Sequence, residues 1–434
     1  MFDLQAAQTT LRREILGGLT TFVTMSYIIV VNPIILGDAK VPFQQAFIAT
    51  IIATIVGTLI MALFARYPIA IAPGMGMNAY FAYSVVQAHK GIDYRVAFSA
   101  VFLATLIFAL ISLTPLRTKL IEAIPVNLKH AITAGIGLFI AFLGLRMTGI
   151  IQATNSSNLV GLGNLHSISV LLTLIGLVVT LICMALNLNG ALFFGMLVTG
   201  IIAFATGQIS FSKGIASLPP LEGLVAYNPV TAIGDVIHYG LYGAIFSFVL
   251  VTLFDTTGTI LGVAEQAGLM KNGKLPRIER ALLADSLGAL VGSMFGTTPT
   301  TAYIESASGV AAGGRTGLTA LVVALLFAVA AFFSPLVGAI SGVAAITGPA
   351  LIIVGALMLS SVSHIEWERF DEVFPAFLVI LSMPLTSSIA TGIAFGFIFY
   401  PIMKIFRGQW RAVHPLVYIF AVLFLLMLIF APPS

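Results

Sequence analysis

Charge is what this sequence has least of. Only 8% of its 434 residues are Asp, Glu, Lys or Arg, against 59% hydrophobic, and the mean hydropathy is +1.08. A soluble domain carries roughly 25% charged residues because its surface faces water. A chain with a third of that cannot cover a globule of this size, so a soluble protein is excluded and the outer surface must face lipid. Cysteine is nearly missing too. Cys183 is the single one and sits in an apolar run, which excludes a disulfide framework and a cysteine metal cluster. The six histidines are scattered, none with a carboxylate at metal-ligand spacing. The N-terminal stretch MFDLQAAQTTLRREILGG has no short apolar core followed by a small-residue cleavage site, so it is expected to stay attached. Enzyme signatures are absent: there is no H-E-x-x-H, no G-x-S-x-G, and no aspartate pair suited to a magnesium–diphosphate. GGRTG at 313–317 lacks the strand and the GK[ST] ending of a phosphate loop. With no ATP-binding domain in view, any pumping is expected to draw on an ion gradient, with no cofactor. The net charge of +4 does not point to nucleic acid, because the basic residues lie in short loops and form no stripe or tail. They suit anchoring on the cytoplasmic side instead.

Apolar runs are what the sequence has most of. A spanning helix needs about 20 mostly apolar residues, and such segments fall at roughly 14–36, 44–65, 68–88, 95–114, 129–149, 168–186, 189–206, 238–264, 277–295, 298–313, 315–334, 343–362, 372–384, 386–405 and 413–431. The fold class is therefore an all-α polytopic membrane protein. Starting inside at Arg12 and Arg13, alternation sends Arg66, Arg117, Lys119, Lys129, Lys271, Lys274, Arg277, Arg280, Arg315, Lys404, Arg407 and Arg411 to the inner loops. That places the N-terminus in the cytoplasm of a multi-pass cell-membrane protein. It also needs 372–384 and 386–405 to count as two crossings, with 413–431 as an extra helix.

The loop at 207–236 divides the chain into two sets of seven, residues 1–206 and 237–406, followed by the extra hydrophobic helix in 407–434. Seven is odd, so the second set enters the membrane from the opposite side, as an inverted repeat does. The third segment of each half is interrupted at the matching place, PIAIAPGMGMNAYFAY (68–83) and GTTPTTAYIESASGV (296–310). Paired interruptions of this kind point to a transporter's midplane site, although chance glycines are an alternative in a chain with 41 of them.

Pro73 lacks an N–H and Gly74 and Gly76 loosen the backbone, so a half-helix is expected to start near Asn78. Asn78 offers a donor and an acceptor there, with helix capping as its plainer role. Pro299 and the threonines favour an extended approach, and the helix resumes toward Glu305. An ionised carboxylate at the bilayer centre costs about 2.5–3.5 kcal/mol on insertion scales, which implies a partner, a proton or a ligand. A structural bond to another helix is the alternative. Asp255, in YGAIFSFVLVTLFDTTGTILGVA, has no basic residue within a turn. It is an acid poised to carry a proton, or else a permanently protonated structural one. Asp285 in ALLADSLGAL reads as structural.

Four blocks, TFVTMSYIIVVNP (21–33), APGMGMNAYFAY (72–83), FDTTGT (254–259) and TTAYIESASGVAAGGRTGLTA (300–320), together resemble the nucleobase:cation symporter-2 family. The likeness is closest to its AzgA-like bacterial guanine/hypoxanthine permeases and covers essentially the whole chain. The resemblance implies a 7+7 inverted-repeat transporter fold with core and gate domains, the third and tenth helices broken by short extended segments. It also implies proton symport of a purine base by an elevator-like movement. By position it makes Asp255 the acid of the eighth helix, Glu305 the base-binding carboxylate and Asn78 the polar residue after the first break. Both acids would take part in proton coupling, and Thr301 and Phe254 are added as base contacts. Phe22, Phe81 or Phe254 would cover the ring face. The uracil branch has a histidine four residues after the acid, where this sequence has Thr259, which argues against uracil. An adenine permease or a carrier of another solute is the alternative on the same fold; a passive channel or structural protein is the alternative in kind. Dimers are common in this fold, which makes a homodimer a partner to test beside base, proton and lipid.

Overall fold

The computed structural model describes residues 2–430, apart from 88–91, 115–122, 155–159, 212–213, 220–230 and 271–274. The side chains of Phe254, Asp255, Thr257, Gly258, Leu261, Glu265 and Phe430 also lie outside the described residues. So do residues 212–213 and 220–230 of the expected 207–236 linker and the basic positions Lys271, Lys274, Arg117 and Lys119.

Each apolar segment of the sequence is a helix or a broken helix. The first half comprises α1 (Leu11–Met25), α2 (Ile28–Asp38), α3 (Phe43–Ile60), strand β1 (Ile71–Pro73), α4 (Met75–Ala79), α5 (Tyr94–Ser112), α6 (Val126–Met147), a short hairpin of β2 (Ile151–Ala153) and β3 (Val160–Leu162), α7 (Ile168–Ala185) and α8 (Ala191–Ala205). The second comprises α9 (Ala232–Tyr239), α10 (Tyr242–Gln266), α11 (Ile278–Met294), β4 (Thr300–Ala302), α12 (Ser306–Ala311), α13 (Gly317–Ala330), α14 (Ser334–Ser341), α15 (Ala344–Leu359), α16 (Phe370–Thr386) and α17 (Ile389–Phe406), with α18 (Pro415–Phe430) following. Among the described residues eight helices are long and apolar enough to cross a membrane; α9 with the first half of α10, bent by 114°, makes a ninth. The remaining expected spans are shorter helices or the two strand-broken segments.

The breaks are the centre of the architecture. Backbone without helical hydrogen bonds survives in a membrane only if protein satisfies it, and here the two breaks satisfy each other. β1 and β4 pair antiparallel, with Ile71 opposite Ala302, Ala72 opposite Thr301 and Pro73 opposite Thr300. The ladder is extended by Tyr303 N–H to the Ala70 carbonyl at 3.0 Å and Gly74 N–H to the Pro299 carbonyl at 3.0 Å. The outer groups of β1 are met by hydroxyls. Thr58 Oγ1 donates to the Ile71 carbonyl and accepts from the Ile71 N–H, and Ser306 Oγ accepts from Ala70 N–H, each at 3.0 Å. Room for two strands between helices comes from small residues. α3 and α11 cross at Gly57 and Gly288, where a Cβ on Gly288 would lie 2.9 Å from the Gly57 Cα.

The half-helix after β1 starts at Met75, three residues before the expected Asn78, because Gly74 (φ −74°, ψ 124°) is the last extended residue. It continues from Tyr80 to Gln87 with the wider π spacing. Around the strand pair pack α1, α2, α3, α5, α10, α11 and α13; α6, α7, α8, α15, α16 and α17 form a second group that packs mainly on itself. These are the core and gate of the 7+7 inverted-repeat fold. The groups meet where α4 touches α6 and α1 touches α8. α18 leans on α17 and reaches α10 through the Phe246 and Phe424 rings, 4.9 Å apart.

Candidate functional site

The polar stretch GTTPTTAYIES lies at this crossing, and its hydroxyls can be taken in turn. Thr297 Oγ1 accepts from Asn32 Nδ2 at 3.1 Å, and the same amide donates to Thr50 Oγ1 at 2.6 Å. Thr298 donates its hydroxyl to Asn78 Oδ1, so the residue before one break is tied to the half-helix after the other. Thr300 Oγ1 is fully buried with no hydrogen-bond partner. Thr301 donates to the Ala302 carbonyl at 3.0 Å, and its methyl fills the space over Gly74, where a Cβ would come within 2.4 Å. Tyr303 OH closes the joint onto the Pro73 carbonyl at 2.6 Å.

Glu305 follows β4 at the N-cap position of α12 and is half-buried. Its Oε1 accepts from the buried Tyr27 OH at 2.6 Å, a bond from the first span to the tenth. Asn78 is 0% exposed, and while its carbonyl oxygen is used, its Nδ2 has no partner. Asn32 Oδ1 and Thr256 Oγ1 are likewise buried, with no partner among the described residues. A buried polar group left short of a hydrogen bond costs about 1–3 kcal/mol, and four of them converge on the elements at this crossing. Each such group in a folded protein calls for an explanation.

Glu305, Asn78 and Thr301 are thus brought to one joint. Asp255 and Phe254 sit on α10, which packs against β4 and α12; their side chains are outside the described residues. Of the candidate ring covers, Phe81 is fully buried and stacked on Phe98 at 4.4 Å, and Phe22 meets Phe327 edge-on at 5.2 Å. Asp285 is fully buried in α11.

Sequence reasoning missed Tyr27, Asn32 and Thr298, whose partners lie 278, 265 and 220 residues away. It also passed over three acids that turn out to be brackets. Glu14 is 0% exposed and accepts from the backbone of Arg315, Thr316 and Thr319 and from both threonine hydroxyls, fixing α1 to the start of α13. Arg315, expected as an interfacial anchor, turns its guanidinium onto the Val310 and Gly314 carbonyls. Asp371 and Glu372 are bound up with Lys404 in the gate group. Little in the local sequence signalled this for Glu14, which lies four residues after the Thr10 cap, past the capping-box position held by Arg13.

Comparison with known proteins agrees with this geometry. Residues 12–395 match the Permease family. Over 99% of both chains, the sequence is 66% identical to the guanine/hypoxanthine permease PbuO of Bacillus subtilis. It is 48% identical to guanine/hypoxanthine permease PbuG of the same organism, over 99% of each chain. It is 44% identical to the adenine permease AdeP of Escherichia coli, over 99% of this chain and 95% of that one. Among solved structures, the transmembrane domain of the cyanobacterial bicarbonate transporter BicA superposes with a TM-score of 0.63 at 15% identity, covering 89% of this chain and 97% of that one. SLC26A9 gives 0.64 at 14% identity, over 92% and 66%. These two carry the fold alone. The protein is a membrane permease and not an enzyme, and the chain belongs to the Permease family, among the AzgA-like members of the nucleobase:cation symporter-2 group.

Proposed function

We propose that this chain imports purine nucleobases, guanine and hypoxanthine, across the cell membrane together with protons. The observation that carries the proposal is the joint itself: a half-buried carboxylate and an amide with a spare donor, placed where two broken spans meet. Guanine and hypoxanthine are flat, nearly neutral and rich in edge donors, and a carboxylate accepts two N–H groups side by side. Glu305 takes that role, with Asn78 beside it and Thr301 shaping the strand behind. Tyr27 orients Glu305 and holds its charge while no base is bound. Asp255 on α10 and Glu305 share the proton traffic, and Phe254 covers the ring.

Transport is elevator-like, the core group sliding along the gate; the sparse contact between the two groups supports this. The repeats are 1–206 and 237–406, joined by an outer linker at 207–236, with 407–434 added and the N-terminus in the cytoplasm. One proton moving through 100 mV supplies about 2.3 kcal/mol, enough for useful accumulation. The high identity to two guanine/hypoxanthine permeases favours that pair of bases. The adenine permease relative keeps adenine as a second substrate to test.

The test is uptake of labelled hypoxanthine in cells lacking their own permeases, with unlabelled guanine, adenine and uracil as competitors. Guanine is expected to compete and uracil not, and a protonophore is expected to collapse accumulation. Absence of uptake above vector control for every purine would refute the proposal. Uptake insensitive to the protonophore would leave a passive carrier. Asp255→Asn is expected to abolish accumulation at normal protein level; wild-type accumulation in that variant would remove Asp255 from the proton route.

A further inference from the structure

A cavity of about 250 Å³ opens on the seam between the two helix groups. It is not lined by the strand joint. Tyr83 and Gln87 reach it from the π-spaced continuation of α4, and Asp38 from the last residue of α2. The gate contributes Leu143, Arg146 and Met147 from the last turns of α6. A pocket of 300–1,000 Å³ holds a drug-sized ligand, so this one suits a smaller, flat molecule.

Its polar groups are held ready on one side and open on the other. Tyr83 OH donates to Asp38 Oδ2 at 2.5 Å, and Gln87 Nε2 donates to the Asp38 carbonyl at 3.0 Å. The tyrosine holds one carboxylate oxygen, while Asp38 Oδ1 has no donor among the described residues. Across the seam, Arg146 is exposed and makes no ion pair among the described residues, so its guanidinium is open to a ligand entering the cavity. Leu143 and Met147 supply an apolar wall beside it. A fixed acceptor, a free guanidinium fork and an apolar plate form a recognisable set. A 6-oxopurine offers an N1–H donor next to its O6, with N7 on the adjoining edge. Carboxylates accept such N–H groups, and a guanidinium donates to O6 and N7 together. Adenine has neither the N1–H nor the O6.

We propose that this seam cavity is a first docking site for 6-oxopurines, in which Asp38 and Arg146 select the base before it reaches the strand joint. The inference rests on purine transport by this chain and deepens it by placing part of the selectivity at the mouth. Because half of the site belongs to the core and half to the gate, it exists only while the core stands at that end of its travel. Its effect is therefore confined to one face of the membrane.

The experiment uses purified full-length protein in vesicles of both orientations, with labelled hypoxanthine and an imposed proton gradient. Arg146→Gln and Asp38→Asn are each expected to raise the half-saturating concentration about tenfold from one face only, with the maximal rate retained. Arg146→Lys keeps the charge without the fork and should fall between. The preference for hypoxanthine over adenine should shrink in the same variants. An unchanged half-saturation from both faces would overturn the proposal. So would an equal rise from both faces, or a loss confined to the maximal rate, since these belong to a latch or a fold defect. Wild-type vesicles that move no purine would overturn the transport proposal itself; a working wild type with unaffected variants would overturn only the docking site.

Discussion

Two polar clusters lie inside this protein, and they are built on opposite rules. In the gate, Lys404 Nζ lies 2.5 Å from both Asp371 Oδ2 and Glu372 Oε1. Asn127 Nδ2 donates to Glu372 Oε2 at 2.9 Å, and Arg407 pairs with Asp371 Oδ1. Charges answer charges, and three helices, α6, α16 and α17, are clamped at one end. In the core, the polar groups at the strand crossing stop short of closure: Asn78 Nδ2, Asn32 Oδ1 and Thr300 Oγ1 are buried without partners. The lesson concerns what burial of polarity is for. A cluster that satisfies itself holds helices together, and one that leaves capacity unspent waits for something to arrive.

The contrast can be broken by substitution, and the largest effect is expected at Glu305. Glu305→Gln should reduce accumulation of labelled hypoxanthine to the vector-only level while the detergent-purified protein keeps its elution profile and melting temperature. Retained transport would place the carboxylate outside the mechanism. Lys404→Met should do the reverse. It leaves two acids short of a partner, a loss of about 3–5 kcal/mol for a broken buried pair. That is read as a large drop in melting temperature and in folded yield. A normally stable Lys404→Met protein would show that the gate cluster holds nothing. Tyr27→Phe sharpens the core side. Losing a hydrogen bond to a charged group costs about 1.5–3 kcal/mol, so the base-free protein should lose stability of that order, and added hypoxanthine should restore part of its melting temperature. The smallest effect is reserved for the scaffold. Gly288→Ala forces a Cβ against Gly57 and, by overpacking, should cost about 1–3 kcal/mol of stability. Its uptake should decline in proportion to folded protein.

The core and gate clusters also differ in how visible they were. Asn78 could be picked out because it follows a proline- and glycine-broken apolar run, and Glu305 because a carboxylate in such a run is costly; both are local signals, while Thr301 came with the family resemblance. Asp371, Glu372 and Lys404 lie at helix ends, where charge is ordinary, so nothing local told a clamp from an interfacial anchor. Tyr27 was invisible for a different reason: a tyrosine near the middle of an apolar span is unremarkable until its partner is known.

Composition and the length of its apolar runs, by themselves, determined that this protein lives in a bilayer and that its third and tenth spans are broken. Those are consequences of hydrocarbon thickness and of the backbone's need for hydrogen bonds, and both act over some twenty residues. Only the tertiary structure decided that the breaks pair as Ala72 with Thr301, that Tyr27 meets Glu305, and that Glu14 caps α13. These contacts join residues more than 200 positions apart. Their energy depends on two helices arriving at the same place, which no stretch of chain can specify alone.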